Sequence, residues 1–191
     1  MKKFLLLLIL FFGSVSNINA DTNRIISGNE NAKIIIIAYE SLTCSHCADF
    51  HKNVYPQLKK DYIDTGLAKI EFRHFPLDIA AFNASKIVQC KQDQGLEILE
   101  SLYSNQQSWI KGNTAEQVNE SLEKFIKKKG FKLDFEKCVN NKEIEDFVLN
   151  DRIEGVKNFK VNATPTIIIN NKKFEKSLNY KNLKKSLEKL I

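Results

Sequence analysis

An almost unbroken β-branched run, Lys33-Ile34-Ile35-Ile36-Ile37-Ala38-Tyr39-Glu40, leads through three residues into Cys44-Ser45-His46-Cys47. A short aliphatic run bounded by a turn reads as a buried strand. From Cys44 onward the apolar positions Cys47, Phe50, Val54, Leu58 and Tyr62 recur at helical spacing. Strand, tight turn and helix therefore carry two cysteines one helical turn apart. The first sulfur stands at a helix start, where unpaired N–H groups and the positive end of the dipole favour a thiolate. The second lies on the same face, close enough to close a small disulfide ring. This is the layout of a dithiol/disulfide redox centre.

The beginning of the chain bears on where such chemistry can run. Met1-Lys2-Lys3 precedes an apolar stretch over residues 4–12, and small and polar residues follow to Ile18-Asn19-Ala20. That order is the order of a signal peptide cleaved after Ala20. A membrane anchor needs about 20 apolar residues, roughly twice what is present. The mature chain is predicted to start at Asp21 and to be exported. Without residues 1–20 it carries 27 basic and 23 acidic residues. Such a small excess, scattered as lysine, serves solubility and excludes a nucleic-acid role. Lys127-Lys128-Lys129 closes a helical pattern before Gly130, where cations suit the helix dipole.

Four cysteines in an exported chain argue for pairing. Cys44 and Cys47 form the close pair. Cys90 and Cys138 are expected to form a structural disulfide, closing a loop worth about 4 kcal/mol by chain entropy. Two buried thiols acting as small apolar residues are the alternative. A metal site is the rival for Cys44 and Cys47, with His46, His51 or His74 completing it. No metal and no cofactor is expected under the redox reading. Haem attachment would need a histidine after the second cysteine, where Ala48 stands.

Beyond the redox helix, with a kink expected at Pro56, residues 68–75 alternate like a second strand. Helical spacing then fills 77–91, 95–110, 114–129 and 133–139, and a further helix runs over about 143–159. Pro165-Thr166-Ile167-Ile168-Ile169-Asn170 reads as a strand, Asn170-Asn171 as a hairpin turn into 172–174, and 180–190 as a closing helix. Trp109, Phe82, Leu96, Leu99, Phe125 and Phe147 read as core. The organisation is an α/β domain from 21–76 and 146–191, interrupted by an all-helical insertion at 77–145.

Three segments make a resemblance specific. Tyr39-Glu40-Ser41-Leu42-Thr43-Cys44-Ser45-His46-Cys47, Phe72-Arg73-His74-Phe75-Pro76-Leu77-Asp78 and Val161-Asn162-Ala163-Thr164-Pro165-Thr166 resemble the signature segments of the DsbA family. That family comprises exported thioredoxin-fold thiol:disulfide oxidoreductases with a helical insertion. The resemblance implies Cys44 as nucleophile, Cys47 as its buried partner, and His46 as the histidine that stabilises the thiolate. It implies Pro165 as the family's cis-proline, with Thr164 and Ser45 meeting the client chain. It implies extended or unfolded cysteine-containing proteins as clients and a DsbB-type membrane partner as re-oxidant. Two positions depart from the family pattern. Ser45 replaces the proline of the Pro-His dipeptide found in strong oxidants, which restores a backbone donor and adds a hydroxyl. Ala38 stands where the family often places a buried acid, while Glu40, two residues on and on the same strand face, is the candidate proton acceptor for Cys47. Disulfide donation to folding proteins is the leading function. A reductase or isomerase of the same fold and a Cys/His metal-binding protein are the alternatives.

Overall fold

The structure, a computed structural model, describes residues 23–191. The signal peptide expected at 1–20 lies outside them. The β-branched run forms β2 (Ile34–Glu40), and the alternating segment forms β3 (Ala68–His74), parallel to it with Ile36 opposite Ile70 and Ala38 opposite Phe72. On its other edge β2 pairs antiparallel with β4 (Thr166–Ile169), which turns into β5 (Lys172–Lys173). Asn170 and Asn171 take φ of 45° and 64°, the left-handed pair that a two-residue hairpin requires. The sheet order is β1-β3-β2-β4-β5.

The outer strand, β1 (Ile25–Gly28), was not foreseen. It runs antiparallel to β3, Ile25 opposite Phe72. Four residues give no measurable period, so only pairing with β3 makes Ile25-Ile26-Ser27-Gly28 a strand.

The redox helix is α1 (Ser45–Asn53), with Cys44 as its N-cap residue. It breaks at Val54 and resumes as α2 (Tyr55–Leu58), because Pro56 has no N–H to continue the ladder. A π-helical turn over Lys59–Ile63 ends the segment. Between β3 and β4 all regular structure is helical: α3 (Ile79–Cys90), α4 (Gly95–Ser104), α5 (Gln106–Trp109), α6 (Ala115–Lys128), α7 (Phe135–Val139) and α8 (Lys142–Phe159). The pattern expected as one helix over 95–110 is split at Asn105. There the Ser104 hydroxyl and the Asn105 amide donate back to the Glu100 and Ser101 carbonyls, a side-chain competition that ends helices. The last helix, α9 (Tyr180–Leu187), follows β5. Among the described residues no helix is long and apolar enough to cross a membrane.

The two sheet faces are covered differently. Ile34, Ile36 and Ala38 point into the larger core with α1, α2, α4 and Trp109, while Ile37 and Tyr39 point to the other face, with Phe75, Val161 and Ile168. There α8 lies close. A Cβ at Gly155 would sit 2.8 Å from Tyr39 Cε1, so glycine permits the approach. Arg24 pairs with Asp151 and Glu154, and the buried Asp151 carboxylate also accepts from the His74 amide at 3.0 Å. A disulfide between Cys90 and Cys138 ties α3 to α7.

Candidate redox-active site

Cys44 takes extended backbone angles, φ −77° and ψ 121°, and its side chain makes no capping bond to its own helix. The sulfur therefore stands at the helix start without a hydrogen bond of full capping geometry. Three contacts hold the turn that presents it. The Gln106 amide of α5 donates to the carbonyls of Leu42 at 2.7 Å and Cys44 at 3.1 Å. The Thr43 hydroxyl donates to Asp78 Oδ2 at 2.7 Å, while Asp78 Oδ1 caps α3 by accepting from the Ala81 amide. The Ser41 hydroxyl accepts from the Leu77 amide at 3.3 Å.

Cys44 Sγ lies 3.3 Å from the Thr164 carbonyl oxygen, to which only its protonated form can donate. The Thr164–Pro165 peptide is cis. The Cys44 pKa falls to about 5, chiefly because the Cys47 thiol donates to its sulfur. Partial burial opposes the fall, while the Thr164 side-chain hydroxyl and the nearby backbone N–H groups of Cys47 and His46 add to it. Cys47 is 0% exposed. Burial, its bond to Cys44 and the charge of Glu40 all push its thiol well above the usual range. One sulfur is a thiolate at neutral pH and the other is held as a thiol.

Ser45 and His46 are exposed. The His46 imidazole, Asp49, Asn53, Thr164, Pro165 and Tyr180 are among the walls of a groove of about 710 Å³ beside the sulfurs. Glu40 ends β2 fully inside, 4% exposed, with Oε2 at 2.8 Å from His51 Nε2. His51, one turn beyond Cys47, engages Glu40. Among the described residues no group of three His, Cys, Asp or Glu side chains is placed to hold a metal. His51 is occupied by Glu40, and His74 lies 3.3 Å from the Gln89 amide oxygen. The metal alternative is therefore unsupported.

A thioredoxin family model matches residues 20–189. Among solved structures, alpha-DsbA1 of Wolbachia pipientis is 31% identical over 88% of this chain and 90% of its own, with a TM-score of 0.77. The chain belongs to the DsbA family. A Rickettsia prowazekii protein named for protein-disulfide oxidoreductase activity is 26% identical over 90% of this chain. This chain spans 62% of that relative's length. Disulfide bond formation protein D of Bacillus subtilis is 24% identical over 85% of this chain and 74% of its own.

Two site residues of this DsbA family member escaped the sequence. Gln106 is some sixty residues from the turn it holds, and a lone glutamine in a helical pattern carries no signal. His51 was visible only as one of three possible metal ligands. Its i+4 relation to Cys47, on the buried face of the same helix, was the signal available.

Proposed function

We propose that the chain is an exported thiol:disulfide oxidoreductase that passes the Cys44–Cys47 disulfide to client proteins during oxidative folding in the periplasm. The observation that supports this best is the inequality of the two sulfurs. A client thiolate attacks Cys44 Sγ, the Cys44–Cys47 bond breaks, and its electron pair leaves on Cys47, which takes up a proton. A second client thiolate attacks the client sulfur of the mixed disulfide and expels Cys44, the better leaving group because its thiolate is stabilised. The client leaves oxidised and the protein leaves as the dithiol, two electrons richer. A DsbB-type membrane partner would take those electrons back. An extended client strand would lie along the groove beside Pro165, with the Thr164 backbone and Ser45 as contacts and His46 at its wall. Glu40 is the proposed acceptor of the Cys47 proton. Residues 21–76 and 146–191 would form the thioredoxin-like domain around an insertion at 77–145.

The direction of transfer is tested by equilibrating the Cys44–Cys47 pair with glutathione and by oxidising a reduced, unfolded client. A potential near about −120 mV, with client oxidation, is expected of a disulfide donor. A potential near that of thioredoxin, about −270 mV, would assign the protein to the reductases instead.

A further inference from the structure

Resting on the oxidoreductase reading, we infer that His51 is a positioning residue through which Glu40 exchanges the Cys47 proton, the two side chains storing it between half-reactions. His51 and Glu40 are both buried, their side chains 5% and 3% exposed. The imidazole lies in an aromatic box. It stacks on Tyr103 with centroids 4.2 Å apart and planes 19° from parallel, and Phe72, Tyr55 and Phe50 stand 5.3 to 5.5 Å away. Stacked aromatic faces fix the orientation of the ring. The titratable groups about the pair are Cys47 from its own helix, Tyr55 from α2, Tyr103 from α4 and the buried His74 of β3, which stands opposite Glu40 in register, while the Phe72 ring of β3 lies against the imidazole.

His51 Nδ1 is buried with no hydrogen-bond partner among the described residues, and Glu40 Oε1 has none at hydrogen-bond distance, although the Tyr103 hydroxyl stands near enough to turn toward the carboxylate. A pair kept only for structure has no reason to leave a buried ring nitrogen unmatched. A pair that changes protonation does, since no fixed partner suits both forms. Glu40 lies near enough for its charge to act on both Cys47 and the Tyr103 hydroxyl. Cys47, fully enclosed, has no route to bulk water on the face it turns to the core.

The proton count closes without leaving two anions in the core. In the disulfide form the pair is carboxylate and imidazolium. When a client opens the disulfide, the Cys47 thiolate takes a proton by way of Glu40, and the pair becomes carboxylate and neutral imidazole. During re-oxidation the proton returns to the pair, and the Cys47 thiolate attacks Cys44 in the mixed disulfide. The negative charge moves between sulfur and the pair, so the core never holds both.

The test starts from a Cys44–glutathione mixed disulfide and follows glutathione release by Cys47 across pH in wild type, His51→Gln, Glu40→Gln and the double variant. His51→Gln is expected to move the midpoint up by about one pH unit, slowing release about tenfold at neutral pH. Glu40→Gln removes the proton acceptor together with the charge that raises the Cys47 thiol, so it should lower the limiting rate above the midpoint without moving the midpoint up, and the double variant should be no slower than Glu40→Gln. Cys44 alkylation should stay unchanged in His51→Gln. Coincident profiles for wild type and His51→Gln overturn the inference. Should His51→Gln not fold, imidazole ¹⁵N shifts of the wild type decide: His51 is expected to be imidazolium in the disulfide form and neutral in the dithiol. The same protonation in both forms overturns it. If the wild type exchanges no disulfide at all, the oxidoreductase reading fails, whereas exchange with an unaltered His51→Gln profile removes only the role of His51.

Discussion

Alkylation of Cys44 at mildly acidic pH separates this sulfur from an ordinary thiol, and neutral pH does not. With its pKa lowered to about 5, Cys44 is almost wholly thiolate at neutral pH, whereas a thiol of pKa about 8.5 is only about 3% ionised there. A more acidic thiolate is also a weaker nucleophile, with a Brønsted slope of about 0.4–0.5, which costs roughly 40-fold for a drop of about 3.5 units. The two effects nearly cancel at about pH 7. At about pH 5.5 Cys44 is still about three-quarters ionised and the ordinary thiol about 0.1%, so Cys44 should react about 20-fold faster. The assay is iodoacetamide labelling of the reduced protein from acid to alkaline pH, read by mass. The Cys47 thiol is the largest single contributor to the low value. A hydrogen bond to a charged acceptor is worth about 1.5–3 kcal/mol, so Cys47→Ala should raise the midpoint by about one to two units. Cys47→Ser, which keeps a donor, should raise it less. A wild-type profile rising only near about pH 8.5, or a Cys47→Ala midpoint left in place, would refute the reasoning.

Two more outcomes follow from the same geometry. Because the Cys44 pKa is depressed in the folded dithiol form, its contribution to stability is fully present above the unfolded thiol value of about 8.5 and is lost as pH falls through about 5; Cys47, held as a thiol, adds nothing to the slope within that window, so denaturant melts of reduced and oxidised protein should converge as pH falls. Gln106→Ala strips the donor from two turn carbonyls and should cost about 1–2 kcal/mol in urea melts of the reduced protein, with a changed Cys44–Cys47 potential as the specific sign.

What the chain made readable in advance was whatever local pattern alone decides. The isoleucines of β2, the helical period after Cys44 and the Asn170-Asn171 hairpin depend on neighbours within a few residues, and each stands in the structure as its sequence suggested. β1 depends on a partner some forty residues away, and its four residues are compatible with a loop. The break at Asn105 carries no sequence signal because apolar spacing runs through it, whereas the restart after Val54 falls where Pro56 predicts a kink. Glu40 was placed on the correct strand face by parity with Ala38. Its partner was not, since nothing in the sequence says that the imidazole of His51 turns inward while that of His46 turns outward.

Gln106 binds the fates of two regions that the chain builds separately. Its single amide spans the carbonyls on either side of Cys44 from a helix of the all-helical stretch. Any bending that swings α5 outward must first tear that amide from the loop, and the chalcogen geometry loosens with it. A displacement of α5 would thus be felt at sulfur, through one side chain that itself takes no part in electron traffic.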